Sequence, residues 1–315
     1  MTIAVALGLC LAGLALVIYC AEHLVEGVVG TSVALGVSAF VVSVVFVGFD
    51  PENLAVGAVG AAQGLPGIAV GSVIGAAMVA VGLAFGVTAL LAPMRFAQAP
   101  RRVLAIPIAA ILLFGALAFD GILSRGDGAV LLAAFVLAVL ELLRLSRRGL
   151  DIRPTGEVAE TLEREGQRSR SRALGLLVLS LAGLVAGSEL LVAGSERLLT
   201  RFGLSETVYG MTILALAVSV EELARELPAA RRGRPEISFG NVAGSILAFF
   251  LCNAGLIALI RPVAVDPSVL RFYLPVCLGT VVFATACLAR LRVPRWAGAV
   301  LVGAYVVFFV GAYLT

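Results

Sequence analysis

Residues 46–57 read FVGFDPENLAVG, and they place a proline between two acids in the middle of a long apolar stretch. Pro51 lacks a backbone N–H and clashes with a carbonyl of the preceding turn, so a helix that reaches this point must break. Asp50 and Glu52 carry carboxylates among hydrocarbon neighbours, and a charge at bilayer depth costs about 2.5–3.5 kcal/mol on insertion scales. If the chain lies in a membrane, the stretch predicts a broken helix whose acids face an ion or proton path.

The composition of the whole chain is that of a membrane protein. Of its 315 residues, 61% are hydrophobic and 14% are charged. The mean hydropathy is +1.08, whereas a soluble domain carries about 25% charged residues. Apolar runs long enough to cross a bilayer, about 17–25 residues, recur from one end to the other. We therefore predict an all-α polytopic membrane protein that lies in the lipid bilayer; its net charge of +3 is no indication of nucleic-acid binding, and none is expected.

Hydropathy predicts ten membrane-spanning helices. They are placed at residues 3–28, 31–62, 67–92, 101–119, 127–146, 173–199, 203–230, 236–260, 268–288 and 293–314. The long polar segment 144–172 divides them into two groups of five, so we predict a first half at 1–146, a linker at 147–172 and a second half at 173–315. An odd number of spans in each half gives the two halves opposite orientations, as in transporters built from inverted repeats.

Arginine placement predicts the orientation in the membrane. All 23 basic residues are arginines, and 17 of them fall in loops on one side of the predicted topology, against five on the other. Cytoplasmic loops are enriched in basic residues, so the arginine-rich side is expected to be cytoplasmic. This places the linker 147–172 in the cytoplasm and both termini outside, with the chain in the cell membrane.

Residues 217–227 read AVSVEELAREL and are the counterpart of the opening stretch in the second half. Glu222 corresponds to Glu52, and each acid is followed by a glycine-rich opening of the next span, GSVIG at 71–75 and GNVAG at 240–244. The shared order predicts two related repeats, at about 20–92 and about 187–260. Carboxylate and free carbonyl oxygens at two helix breaks suit a hard cation such as Ca²⁺ or Na⁺.

These motifs resemble those of the cation/calcium antiporter superfamily, which includes the sodium/calcium exchangers. That family has two inverted α-repeats, each with a T-S-x-P-E-L-like motif followed by a G-N-x-x-G-S-N-like motif. The matching residues are Ser219, Glu222, Leu223 and 240–245 in the second half, and Pro51, Glu52, Gly71 and Gly75 in the first. The resemblance implies a sodium/calcium-exchanger-like fold and a central cation site, with Glu52 and Glu222 as facing ligands, that works by alternating access.

The candidate cation ligands follow from the acids, from neutral oxygens at equivalent positions, and from the resemblance. They are Glu52, Glu222, Asp50, Ser219, Glu221, Ser72, Asn241 and Ser245. Asp50 has an alternative role as the N-cap of a helix that begins at Pro51. Glu222 has an alternative as the helical ion-pair partner of Arg225. On an intact helix Glu221 points about 100° away from Glu222, so its alternative is to face a different side of the helix, away from the cation site.

The chain departs from the family pattern where two polar ligands are expected. Ala77 and Ile246 stand at positions where the family has Asn or Asp, while Asp50 and Glu221 are additional acids. We expect a secondary active antiporter that exchanges Ca²⁺ for Na⁺. The alternatives are exchange of Ca²⁺ or another divalent cation for H⁺, and a divergent relative with altered or lost transport.

An intramembrane enzyme is the alternative from another functional class. It is disfavoured because no His/Cys cluster, nucleophile motif or phosphate-binding glycine loop accompanies the acids. The sequence therefore predicts that the protein is not an enzyme and that it uses no cofactor apart from the ions it transports.

Overall fold

The structure is a computed structural model that describes residues 3–34, 50–96, 101–147, 170–219, 221–231 and 235–314. These residues are helical apart from short connections and small strands. The helices are α1 (Ile3–Ala34), α2 (Pro51–Gln63), α3 (Pro66–Leu91), α4 (Arg101–Leu117), α5 (Arg125–Arg147), α6 (Arg170–Phe202), α7 (Glu206–Ser219), α8 (Glu221–Arg231), α9 (Pro235–Leu247, continued by Ala248–Asn253 and Ala254–Ile260), α10 (Val269–Ala289) and α11 (Arg295–Gly311). The strands are β1 (Met94–Arg95), β2 (Ile122–Leu123), β3 (Val263–Ala264) and β4 (Arg292–Val293).

The described helices confirm an all-helical membrane protein. Seven of them are long and apolar enough to cross a membrane, namely α1, α3, α4, α5, α6, α9 and α10. Two further apolar helices, α7 and α11, are shorter. Most of these helices begin and end within a few residues of the predicted spans; the total of ten spans stays a prediction.

One predicted helix boundary is wrong. Hydropathy ends the first span at residue 28 and begins the second at residue 31, but α1 continues without interruption from Ile3 to Ala34. Gly27 lies against α6, where an added Cβ would fall 2.6 Å from the backbone nitrogen of Leu177. This glycine lets two helices approach closely and does not end one. The rest of the predicted second span, up to residue 49, lies outside the described residues, as does most of the linker.

The helices α3 and α9 form the centre of the molecule. In the apolar 18-residue segment of each helix, 94% of α3 and 72% of α9 are buried inside the protein, whereas only 22% of α1 and of α5 are buried. The peripheral helices present large apolar side chains outwards, such as Leu11 on α1 and Leu137 on α5. This arrangement suits a bilayer, because lipid solvates the outer helices while polar groups collect near the two central ones.

Small residues allow α3 to cross α7 at close range. A Cβ on Gly71 would collide with the backbone of Gly210, and one on Gly75 would fall 2.5 Å from the side chain of Ala215. The GxxxG pattern at 71–75 therefore serves helix packing, which is its usual meaning in lipid. The crossing brings the glycine-rich residues 71–75 against the helix that leads to the second acidic stretch.

Short strands and a long helix pair complete the frame. Strand β1 pairs antiparallel with β4, and β2 pairs antiparallel with β3, so segments from both halves are joined at each pair. The helices α1 and α6 lie along each other, with Gly13 against the backbone of Leu191 and Gly194 against that of Ala6. The α1–α6 pair packs mainly against itself and meets the rest of the protein through fewer contacts.

Candidate cation site

Asp50 caps the helix that begins in the opening stretch. Its backbone is non-helical, with φ −132° and ψ 88°, and Pro51 takes the first helical position of α2. Asp50 Oδ1 accepts a hydrogen bond from the backbone nitrogen of Asn53 at 2.9 Å, and Oδ2 accepts one from Asn53 Nδ2 at 2.8 Å. The helix therefore starts where the proline predicts, and Asp50 has a capping role. Its role as a cation ligand stays a prediction.

Asn53 joins the two acidic stretches. Its Nδ2 also donates to Ser219 Oγ, at 2.9 Å, and both side chains are buried. Ser219 is the last residue of α7, three residues before Glu222. The hydrogen bond therefore brings the start of α2, with Asp50 and Glu52, to the point where the second acidic stretch begins.

Two side chains of α9 hold the carboxylate of Glu222. Asn241 Nδ2 donates to Glu222 Oε2, and Ser245 Oγ donates to Oε1 at 3.5 Å. Asn241 and Ser245 are four residues apart, so a helix presents them on one face. Glu222 is 1% exposed. Three of the predicted ligands thus lie together between α8 and α9.

The other predicted ligands have different surroundings. Glu52 is 1% exposed and lies in the first turn of α2, where the helix dipole favours a negative charge. Ser72 Oγ donates to the carbonyl oxygen of Ala69 at 2.8 Å. A Cβ on Gly57 would collide with the Ser72 hydroxyl, so Ser72 lies directly beside α2.

Glu221 is placed only in part. It is the first residue of α8, but its side chain lies outside the described part of the chain, as does that of Arg225. The direction of Glu221 and the alternative ion pair between Glu222 and Arg225 therefore stay open.

Two buried polar residues near these ligands were not predicted as part of the site. Asn53 directly follows Glu52, and Glu226 lies one helical turn after Glu222; each is 1% exposed. Asn253 of α9 is also close, since its Nδ2 donates to the backbone oxygen of Asp50 at 3.5 Å. The sequence did contain a signal for the first two: Asn53 is one position after Glu52, and Glu226 is one helical turn after Glu222.

The atoms that can coordinate a cation at the site are carboxylate, amide, hydroxyl and backbone carbonyl oxygens. Among the described residues, no group of three His, Cys, Asp or Glu side chains is placed to hold a metal ion. Hard cations such as Ca²⁺ accept a mixture of charged and neutral oxygen ligands, whereas Zn²⁺ sites are built mostly from nitrogen and sulfur. The arrangement therefore suits a hard cation held by few charges and several neutral oxygens.

The chain is similar to known proteins along almost its whole length. A family model described as sodium/calcium exchanger protein matches residues 5–143 and 172–314. The inner membrane protein YrbG of Escherichia coli (strain K12) is 29% identical over 319 residues, covering 98% of this chain and 97% of YrbG. The putative antiporter CaxA of Alkalimonas amylolytica is 30% identical over 261 residues, covering 82% of each protein. The sodium-calcium exchanger NCX_Mj soaked with 2.5 mM Na⁺ and 10 mM Sr²⁺ superposes with a TM-score of 0.61 at 22% identity, covering 97% of this chain and 98% of that one.

Proposed function

Because this chain belongs to the sodium/calcium exchanger protein family, which consists of transporters and not of enzymes, we propose that it exchanges Ca²⁺ for Na⁺ across the membrane. It is a multi-pass membrane protein of an antiporter family whose substrates are inorganic cations. The observation that carries the proposal is the buried hydrogen bond between Asn53 and Ser219, which joins the two acidic stretches beside Glu52 and Glu222.

In the proposed mechanism, Glu52 and Glu222 bind either one Ca²⁺ or the counter-ions, and never both together. A carboxylate pair must be neutralised before the site can cross an apolar environment, so an unloaded site resists reorientation. Asn241 and Ser245 orient the Glu222 carboxylate for the ion, since both donate hydrogen bonds to it. Ser219, Ser72 and the amide oxygen of Asn241 supply neutral ligands, and the α1–α6 pair slides past the central helices.

The proposed architecture is ten spans in two inverted five-helix repeats, with residues 1–146 and 173–315 as the halves. Corresponding features of α3 and α9 support it. Each of these helices starts at a proline, Pro66 or Pro235, and each changes to a π-helical segment, Val79–Phe85 or Ala248–Asn253, at the same distance from that proline. We place the protein in the cytoplasmic membrane, with both termini outside and the linker 147–172 in the cytoplasm.

Proton coupling is the second candidate, and a specific observation favours it. Ala77 and Ile246, which stand where the family resemblance expects polar ligands, are buried in the main apolar cluster of the protein. A site that lacks these two polar ligands has fewer oxygen atoms to bind Na⁺ than the family pattern implies, whereas its carboxylates can bind protons instead. Exchange of Ca²⁺, or of another divalent cation, for H⁺ is the resulting alternative.

Ion flux in proteoliposomes separates these possibilities. Purified protein is reconstituted with ⁴⁵Ca²⁺ inside, and either an inward Na⁺ gradient or an inward proton gradient is imposed. Efflux driven by Na⁺ is the expected result, and efflux driven only by the pH gradient would establish the proton-coupled alternative. Absence of Ca²⁺ flux under both gradients would contradict the proposed function and favour a relative with altered or lost transport.

Substitution of the two central acids tests the site. Glu52→Gln and Glu222→Gln should each reduce exchange to the level of protein-free liposomes, because one carboxylate cannot neutralise a divalent ion. Glu141→Gln is the matched control, since Glu141 lies on the peripheral helix α5 next to Arg144 and should exchange normally. Normal exchange by both central variants would show that the site lies elsewhere.

A further inference from the structure

Glu226 is a second buried acid on the face of α8 that carries Glu222. Residues four apart on a helix share a face, both glutamates are 1% exposed, and Glu222 is the charged neighbour of the Glu226 carboxyl group. Among the described residues, no donor lies in good hydrogen-bond geometry to either carboxyl oxygen of Glu226, and Asn241 is the polar side chain beside them. A buried carboxylate without well-placed donors is costly, so the group either carries a proton or pairs with a cation.

Polar groups of α9 surround this turn of α8. Ser238 Oγ donates to the backbone carbonyl oxygen of Glu226 at 3.0 Å, which fixes the position of the turn. Asn241 lies next to both carboxyl groups, but its Nδ2 donates to Glu222. The amide oxygen of Asn241 and the two carboxyl groups therefore bring several oxygen atoms together between α8 and α9.

The second acid has no counterpart in the first repeat. Four residues after Glu52 the chain has Val56, which is fully buried in an apolar cluster. Glu226 also lies one turn further than Glu222 from the contact of Ser219 with Asn53, towards Arg231 at the end of α8. An ion that moves from Glu52 past Glu222 towards that end of α8 meets Glu226 next.

We propose that Glu222 and Glu226, together with the amide oxygen of Asn241, form a second cation subsite that takes Ca²⁺ after it leaves Glu52. The inference rests on the proposed function, because the bound ion is the transport substrate. Glu222 belongs to both positions, so the ion passes from the Glu52–Glu222 pair to the Glu222–Glu226 pair without losing its carboxylate contact. The subsite would thus lower the barrier between the central site and one membrane face.

Direct Ca²⁺ binding tests the subsite independently of transport. Equilibrium binding of ⁴⁵Ca²⁺ is measured on the purified full-length chain, for wild type, for Glu52→Gln, and for Glu52→Gln combined with Glu226→Gln. The single variant has lost a ligand of the central site and should retain Ca²⁺ binding about tenfold or more weaker than wild type, since affinity follows the number of charged ligands. The double variant should lose the remaining binding.

Glu52→Gln combined with Glu206→Gln is the matched control. Glu206 is a half-buried glutamate at the start of α7, where it accepts a hydrogen bond from the backbone nitrogen of Gly67. A glutamine can accept the same bond, so this variant removes one negative charge and should leave the residual binding of Glu52→Gln unchanged.

The outcomes are decisive for the subsite. It is overturned if Glu52→Gln and its combination with Glu226→Gln bind Ca²⁺ equally, or if Glu52→Gln binds none. If size-exclusion chromatography shows that Glu226→Gln does not fold, Glu226→Asp replaces it; this variant keeps the charge but shortens the side chain, and the residual affinity should fall severalfold. Unchanged affinity would also overturn the subsite. If wild type exchanges normally but Glu226→Gln does not change the residual Ca²⁺ binding of Glu52→Gln, the subsite is refuted and the proposed function stands. If Glu226→Gln removes that binding but wild type shows no Ca²⁺ flux, the proposed function is refuted and the subsite stands.

Discussion

The side-chain amide of Asn53 connects the first acidic stretch to the second. The family resemblance expects Thr-Ser before the acid, but this chain has Gly48 and Phe49 there. Asn53 instead donates to Asp50 and to Ser219, the one motif serine that the second stretch keeps. The two stretches are thus joined by an amide–hydroxyl hydrogen bond in a chain whose first stretch lacks the Thr-Ser pair of the family motif.

Removing Asn53 should destabilise the protein more than removing an ordinary helix hydroxyl. Asn53→Ala leaves a buried carboxylate oxygen of Asp50 and the Ser219 hydroxyl without their donor, so we expect a loss of about 1–3 kcal/mol in unfolding free energy. Thr280→Ala is the control, because Thr280 is buried and donates to the backbone oxygen of Val276 in its own helix. In detergent, the midpoint temperature of thermal unfolding should fall further for Asn53→Ala than for Thr280→Ala. Equal falls would contradict the role of Asn53 as a bridge between Asp50 and Ser219.

Two substitutions of Asp50 separate capping from ion binding. Asp50→Ala removes the cap of α2 and should lower the unfolding free energy by about 0.5–2 kcal/mol. Asp50→Asn keeps one oxygen to cap the backbone nitrogen of Asn53, but it removes the charge and the acceptor for Asn53 Nδ2, so some stability is lost. If Asp50 only caps the helix, Ca²⁺ affinity should change by no more than about twofold. Thermal unfolding and ⁴⁵Ca²⁺ binding are measured on both variants. A much larger loss of affinity in Asp50→Asn would identify Asp50 as a ligand.

At the scale of elements, the sequence predicted where helices start better than how they meet. Pro51 gave the start of α2 correctly, because a missing N–H and a fixed φ are local properties. The end of α1 was predicted incorrectly, at residue 28 instead of Ala34, because the packing of residues such as Gly27 against Leu177 depends on a helix far away in the chain. For the same reason the contact of Asn53 with Ser219 could not be predicted: it depends on the relative position of α2 and α7, and no local pattern encodes that.

The crossing of α3 and α7 should depend on Gly71. Gly71→Ala places a methyl group against the backbone of Gly210, so the two helices must separate; overpacking of this kind costs about 1–3 kcal/mol. Gly279→Ala is the matched control, since nothing lies within 4 Å of its Cβ position on α10 and alanine is the better helix former. The midpoint temperature of thermal unfolding should fall for Gly71→Ala and stay unchanged or rise for Gly279→Ala. An unchanged midpoint in Gly71→Ala would mean that the crossing is looser than this geometry implies.

At the scale of the whole molecule, burial divides the protein into a core and a peripheral pair of helices. The central helices α3 and α9 are mostly enclosed, while α1 and α6 are mostly exposed and pack along each other. One polar connection between the pair and the core runs through Ser195 of α6, whose Oγ lies 3.0 Å from the hydroxyl of Tyr209 on α7. If α1 and α6 move together during transport, this connection must break while the contacts inside the pair persist.

Cross-links at Ser195 test that division, because this residue faces both partners. Cys10 Sγ of α1 lies 3.9 Å from Ser195 Oγ, so Ser195→Cys in a chain without the other native cysteines should form a disulfide inside the pair and leave Ca²⁺ exchange intact. Combining Cys10→Ala, Ser195→Cys and Tyr209→Cys, bridged by a short bifunctional thiol reagent, ties the pair to α7 and should reduce exchange to background until the link is cleaved. For both cross-linked variants, ⁴⁵Ca²⁺ flux is measured before and after a reducing agent cleaves the cross-link. Exchange that continues with α6 tied to α7 would rule out sliding of the pair, because no relative movement is then available at this contact.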